Sequence, residues 1–147
     1  MRFQYSFQKV VDLKTNEKSQ AEWLLSSAVG QLQAEEQTLI QLVGERNRVI
    51  SAIQKAAEDC ASLSTIQELQ AYVNHLDQCI TRKHRDVQYA QQNVQSKQTV
   101  LTDKMLDEQV WLKAREKANV KFQQEMLLRE QNELDEMASV RFAMKAR

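Results

Sequence analysis

Apolar residues recur along most of this chain in alternating steps of three and four. That spacing gathers side chains on one helix face and, when sustained, forms a coiled-coil seam. The row is cleanest over Ile66, Leu69, Val73, Leu76, Ile80, Lys83, Val87, Ala90, Val94, Lys97 and Leu101. Beyond Leu101 its phase loosens through Met105, Trp111 or Leu112, Ala118, Phe122 and Met126. A comparable row runs from Ala21 through Leu24, Ala28, Leu32, Glu35, Leu39, Leu42, Arg46, Val49, Ile53, Ala56 and Cys60. Leu24, Ala28 and Leu32 take two steps of four in succession, a stutter that locally unwinds a supercoil. Gly30 lies inside the stutter and Gly44 beyond it; each costs a helix about 1 kcal/mol relative to alanine. The start of the chain supports two readings. Phe3, Phe7 and Val10 share a helix face, whereas Phe3, Tyr5 and Phe7 alternate as in an extended segment.

The two rows stop and restart around the stretch from Cys60 to Glu68. Thr65 followed by Glu68 fits a capping box, and Ser62 and Ser64 carry hydroxyls that compete with helical backbone bonding. A short connection makes its two helices antiparallel neighbours. The expected fold is all-α: one antiparallel two-helix coiled-coil hairpin over 1–147. The first helix is expected over about 5–60, a turn over about 61–65 and the second helix over about 66–142. Phe122 then returns level with the N-terminal residues, so the second helix beyond about Met126 overhangs without a partner in the hairpin. The overhang is acidic first (Glu130, Glu133, Asp135, Glu136) and basic last (Arg141, Lys145, Arg147). Cations at the end suit a helix C-terminus. Two helices about 90 Å long make few long-range contacts, so the expected hairpin is marginal alone and completes its stability on a partner.

Composition strengthens the helical reading. The chain has no proline and two glycines in 147 residues, where average usage of about 5% would give roughly seven prolines. Twenty basic residues balance twenty acidic ones, which argues against a general nucleic-acid binder. No apolar run approaches the ~18 residues of a membrane span. The opening residues also lack the apolar core of a secretory signal, so a cytoplasmic protein is expected, without direct membrane insertion. Cys60 lies level with Ile66 in such a hairpin. Cys79 then falls ~20 Å further along the axis, beyond the ~7 Å that a disulfide spans, and two free thiols are expected.

No Gly-rich phosphate loop, nucleophile elbow or paired-histidine motif is present. A two-helix hairpin also offers no water-excluding pocket, so no enzyme activity, no cofactor and no metal are expected. His75 and Cys79 stand four residues apart, but two ligands do not make a zinc site. Arg82-Lys83-His84-Arg85 lies near Arg46 and Arg48 across the expected hairpin, giving a basic patch that is either solvated or docks an acidic partner. Trp23 falls outside the seam, as an interface anchor or packed over a neighbour. Tyr72, Leu76, Cys79 and Lys83 line a stripe beside the seam, which flanks the core or meets a partner.

With Phe3-x-x-x-Phe7-x-x-Val10, two long helices and a late Leu134-Asp135-Glu136-Met137-Ala138, the chain resembles the flagellar export protein FliJ family over its whole length. The resemblance implies an antiparallel coiled coil similar to the central stalk of rotary ATPases, an analogy of fold. It also implies a place on the cytosolic side of the flagellar type III export apparatus, peripheral to the inner face of the membrane at the flagellar base. The implied partners are the flagellar export ATPase, export chaperones and the cytoplasmic region of the membrane export gate.

In that family a stripe of aromatic, leucine, small residue and histidine on the second helix is implicated in gate binding. Tyr72, Leu76 and Cys79 match this order, while Lys83 holds the histidine position and His84 follows, turned by ~100°. For the ATPase, the stalk analogy implicates the end bearing both termini: Phe3, Phe7, Met126 and, in the overhang, Glu133, Asp135 and Glu136. Three other readings compete with the flagellar stalk. They are the stalk of a virulence-type secretion system, a purely structural coiled coil that self-associates, and a holdase-type chaperone.

Overall fold

The computed structural model describes residues 2–146. It consists of two α-helices, α1 (Gln8–Glu58) and α2 (Leu63–Lys145), and no strand among the described residues. They pair antiparallel as a coiled-coil hairpin. Residues 2–7 precede α1 as neither helix nor strand, with a turn over Ser6 and Phe7 closed by the Gln8 amide donating to the Tyr5 carbonyl at 3.1 Å. Arg147, expected to end the basic stretch, lies outside the described residues.

The connection is shorter than the sequence suggested, and its capping differs. α1 ends in a Schellman arrangement: the Ala61 amide donates to the Ala56 carbonyl at 2.9 Å and the Cys60 amide to Ala57 at 3.3 Å. Cys60 takes the left-handed conformation this motif demands, with φ at 52°. That turn swings Cys60 off the seam and into solvent, so the α1 row closes at Ala56 rather than Cys60. α2 begins earlier than expected because Ser62, not Thr65, is its N-cap. The Ser62 hydroxyl accepts from the Thr65 amide at 3.3 Å and lies 2.9 Å from the Thr65 hydroxyl. The expected Thr65–Glu68 box is replaced because Thr65 already sits in the first turn.

The chain divides into two compact units, Gln20–Thr102 and Met1–Ser19 with Asp103–Arg147. The first contains the turn and the most regular part of both rows. Its buried residues are Ala21, Ala28, Val49, Val73, Leu76, Val87 and Ala90. Val49, Val73 and Leu76 form its densest cluster, with Leu42, Ile50, Ile53 and Leu69 packed around them. Alanines at three of the buried positions let the backbones approach closely. Among the described residues no large side chain is fully enclosed, as a seam of two helices requires. Three of the four charged row positions, Glu35, Arg46 and Lys83 but not Lys97, meet a partner across the helices. Lys83 Nζ lies 2.8 Å from Glu35 Oε2, and Arg46 pairs with Asp77. A Cβ added at Gly30 or Gly44 would meet nothing within 4 Å, so packing demands neither glycine and α1 runs through both.

The second unit is held by rings and by ions. Phe3 stacks against Tyr5 with centroids 6.5 Å apart and meets Phe122 at a tilt, with centroids 5.5 Å apart. Tyr5 meets Phe7 edge-on at 5.8 Å, and Phe7 reaches Trp111 at 6.0 Å. Val11, rather than Phe7 or Val10, is the buried apolar residue that opens α1 here, and Phe7 stays about half exposed. Past Val11 the contact becomes a polar layer. Lys14 Nζ lies 2.8 Å from Asp107, Lys18 Nζ 3.1 Å from Glu108 and Lys104 Nζ 3.3 Å from Glu17. The loosening expected after Leu101 is at first a change of chemistry, and past Trp111 one of phase, where the covered residues Ala114, Ala118, Phe122 and Met126 step by four in succession. Lys104 and Glu108 continue the three-four row, and Met105 points to solvent.

Candidate functional site

The stripe on α2 divides between core and surface. Leu76 is buried at 4% exposure inside the cluster with Val49 and Val73. Tyr72 is 43% exposed. Cys79 is half-buried, with its Sγ 3.7 Å from His75 Nε2 one turn earlier. Lys83 turns into the seam, where its hydrogen bond to Glu35 outweighs partial burial and raises its pKa, with Asp86 at 3.5 Å adding to the effect. His84 is exposed. The surface left for a partner on this face is thus Tyr72 and the Cys79–His75 pair, with Leu76 supporting it from beneath, while His84 lies ~100° round the helix from Lys83.

The basic patch is more neutralised than its sequence implies. Lys83 is committed to Glu35, Arg46 to Asp77, and Arg48 Nη2 lies 2.9 Å from Glu45. Arg82 and Arg85 remain exposed around a shallow concavity shared with Asp77, Gln78 and Thr81. Trp23 is 69% exposed on α1, so it does not fold back over its neighbours.

In the unit bearing both termini, Phe3 and Phe122 line a groove with Arg2, Asn119, Met126 and Glu130. Phe7 extends the aromatic surface through Trp111. Below this groove the polar layer fixes the helices. Glu108 is the buried charge of the described residues. Hydrogen bonds from Lys18 and then Thr15 hold its carboxyl below the ordinary glutamate value despite that burial. Lys14 is raised by its bond to Asp107.

From Leu127 to Ala146 every residue is exposed while α2 continues to Lys145. Met126 is the last residue with cover. Glu133, Asp135 and Glu136 stand in this exposed stretch, and so do Leu127, Leu134, Met137 and Phe142. Sequence reasoning missed the paired layer around Glu108, whose signal was a row of charges keeping the seam's own spacing.

The free thiols Cys60 and Cys79 are far apart in role, one in the turn and one on the stripe. Among the described residues no cluster of three metal-ligating side chains occurs. Among the described residues no helix is long and apolar enough to cross a membrane. An antiparallel coiled-coil hairpin whose open surfaces are helix faces and shallow grooves defines a class of docking and stalk elements.

Comparison with known proteins makes the class specific. The flagellar FliJ protein family matches residues 3–147, and the chain belongs to that family. The flagellar FliJ protein of Bacillus subtilis is 25% identical over 145 residues, spanning 99% of each chain. A solved structure described as a YscO homologue of Chlamydia trachomatis superposes with a TM-score of 0.67 at 18% identity. It covers 95% of this chain and 94% of its own, and shares the fold. The family is a flagellar one.

Proposed function

We propose that this chain is a stalk and adaptor of flagellar protein export that binds two components of the apparatus. The unit bearing Phe3, Phe7, Met126 and the exposed end of α2 docks on the export ATPase, with Glu133, Asp135 and Glu136 as its acidic contacts. The face around Tyr72 and Cys79, flanked by Lys83 and His84 and supported by Leu76, docks on the cytoplasmic region of the export gate. Export chaperones meet the chain as a third class of partner. In this reading the protein works in the cytoplasm, held at the inner face of the membrane by its partners.

One observation carries the reading: α2 stays helical from Leu127 onward with every side chain exposed. Helices in proteins draw most of their stability from packing an apolar face, and the uncovered apolar residues here mark an interaction surface. Membership of a flagellar family names the system in which its partners are sought.

The test is binding measured separately for the two partners. Truncation after Met126 is expected to weaken ATPase binding by at least about tenfold and leave gate binding intact. Tyr72→Ala is expected to do the reverse, since anchor aromatics dominate such contacts. Truncation that leaves the ATPase affinity unchanged would refute the assignment of the terminal unit. Failure to bind either partner would refute the proposal.

A further inference from the structure

We infer that the exposed end of α2 pairs with the same segment of a second copy of this chain, as a short antiparallel coiled coil. Leu127, Glu130, Leu134, Met137, Arg141 and Met144 follow three-four spacing and so share one face. All six are exposed, and the four apolar ones are each more than half uncovered. Among the described residues neither Glu130 nor Arg141 has an ion-pair partner. Leu134, Met137 and Arg141 also line one shallow, open groove between their side chains.

The order of these residues selects the occupant and its register. In an antiparallel pair, the first position of each heptad faces the fourth position of the other helix. Setting Leu134 opposite Met137 of the second copy places Leu127 opposite Met144 and Glu130 opposite Arg141. Every apolar residue then meets an apolar residue and every charge its opposite, twice over by two-fold symmetry. A shift of one heptad in one direction sets Arg141 against Met137, and in the other sets Glu130 against Leu134. Parallel pairing sets glutamate on glutamate and arginine on arginine. Only one register is fully complementary. On one flank Ala138 lies beside Gln131 of the second copy, and on the other Glu133 lies beside Val140, so no like charges meet at the edges.

A seam of this length, with one charged layer on each side of the axis, gives a weak dimer that forms at micromolar concentration rather than an obligate one. Self-pairing covers the same stretch that the ATPase reading leaves open, so the two states exclude each other. The inference itself needs neither proposed partner.

Sedimentation velocity on the full chain alone tests it. The expected result is a concentration-dependent shift from the 17.1 kDa monomer toward twice that mass, complete by about 200 µM for a micromolar contact. Glu130→Arg and Arg141→Glu each place like charges face to face and are expected to weaken the dimer by at least about tenfold. Both positions are exposed, so the variants keep the parent's circular dichroism. An equimolar mixture of the two variants restores both attractive layers and is expected to dimerise as the parent does. A parent that stays monomeric throughout, variants that dimerise like the parent, or a mixture that fails to recover would each overturn the inference.

Discussion

Replacing Leu76 by alanine separates two roles that the residue's place in the stripe superimposes. Leu76 is 4% exposed and packs with Val49 and Val73, with Leu42, Ile50, Ile53 and Leu69 around the cluster. Burying a leucine is worth about 2–3 kcal/mol, and leucine-to-alanine changes in cores cost about 2–5 kcal/mol once the cavity is included. No large side chain of this thin seam is fully enclosed, so the void opens to water and collapses readily. The lower end, about 2–3 kcal/mol, is therefore expected, a roughly 30- to 150-fold rise in the unfolding constant. Tyr72→Ala, at a position 43% exposed, is expected to change stability by less than about 1 kcal/mol. Urea unfolding followed by far-UV circular dichroism measures both, with gate binding measured on the same preparations. Leu76→Ala within about 0.5 kcal/mol of the parent would refute the placement of Leu76 as core and return it to the surface.

Further outcomes follow from the turn and the polar layer. Ser62→Ala removes the N-cap of α2 and is expected to cost about 1 kcal/mol in the same urea assay. Cys60→Gly relieves a left-handed φ of 52° and is expected to gain about 0.5–1 kcal/mol after the added flexibility of the unfolded chain is counted. Glu108 titrates below the ordinary glutamate value because Lys18 and Thr15 bond its carboxylate. Its contribution is present above that value, about 4.3, and is lost as pH falls through the lower folded-state pKa. Acidification below about pH 4.3 should thus lower the urea midpoint, and Glu108→Gln should flatten that part of the curve. Lys14 and Lys83 are raised by Asp107 and Glu35, so their contributions hold below about pH 10.4 and fade above it.

Periodicity made most of the fold legible, because a two-helix seam has one repeating rule and both helices obey it. Every member of the row from Ile66 to Leu101 keeps cover in the structure. The errors cluster where another rule competes. At Cys60 the Schellman turn overrode the seam and turned a core position into an exposed one. At the start of α2 several hydroxyls offered caps, and only geometry selects Ser62. After Leu101 an eye trained on apolar residues followed Met105, while Lys104 and Glu108 kept the spacing by pairing with Glu17 and Lys18. At the stripe, sequence alone could not divide residues between support and surface, since Leu76 fits both rows. The exposed end of α2 is legible because Phe122 returns beside Phe3, and their ring contact at 5.5 Å shows why the cover runs out just beyond.

ATP hydrolysis by the flagellar export ATPase, titrated with this protein, tests the central proposal most directly. The parent and Tyr72→Ala are expected to stimulate turnover alike, and the chain truncated after Met126 to lose most of that effect. Stimulation retained by the truncated chain but lost in Tyr72→Ala would contradict the account, because the face assigned to the gate would then be the one that engages the ATPase.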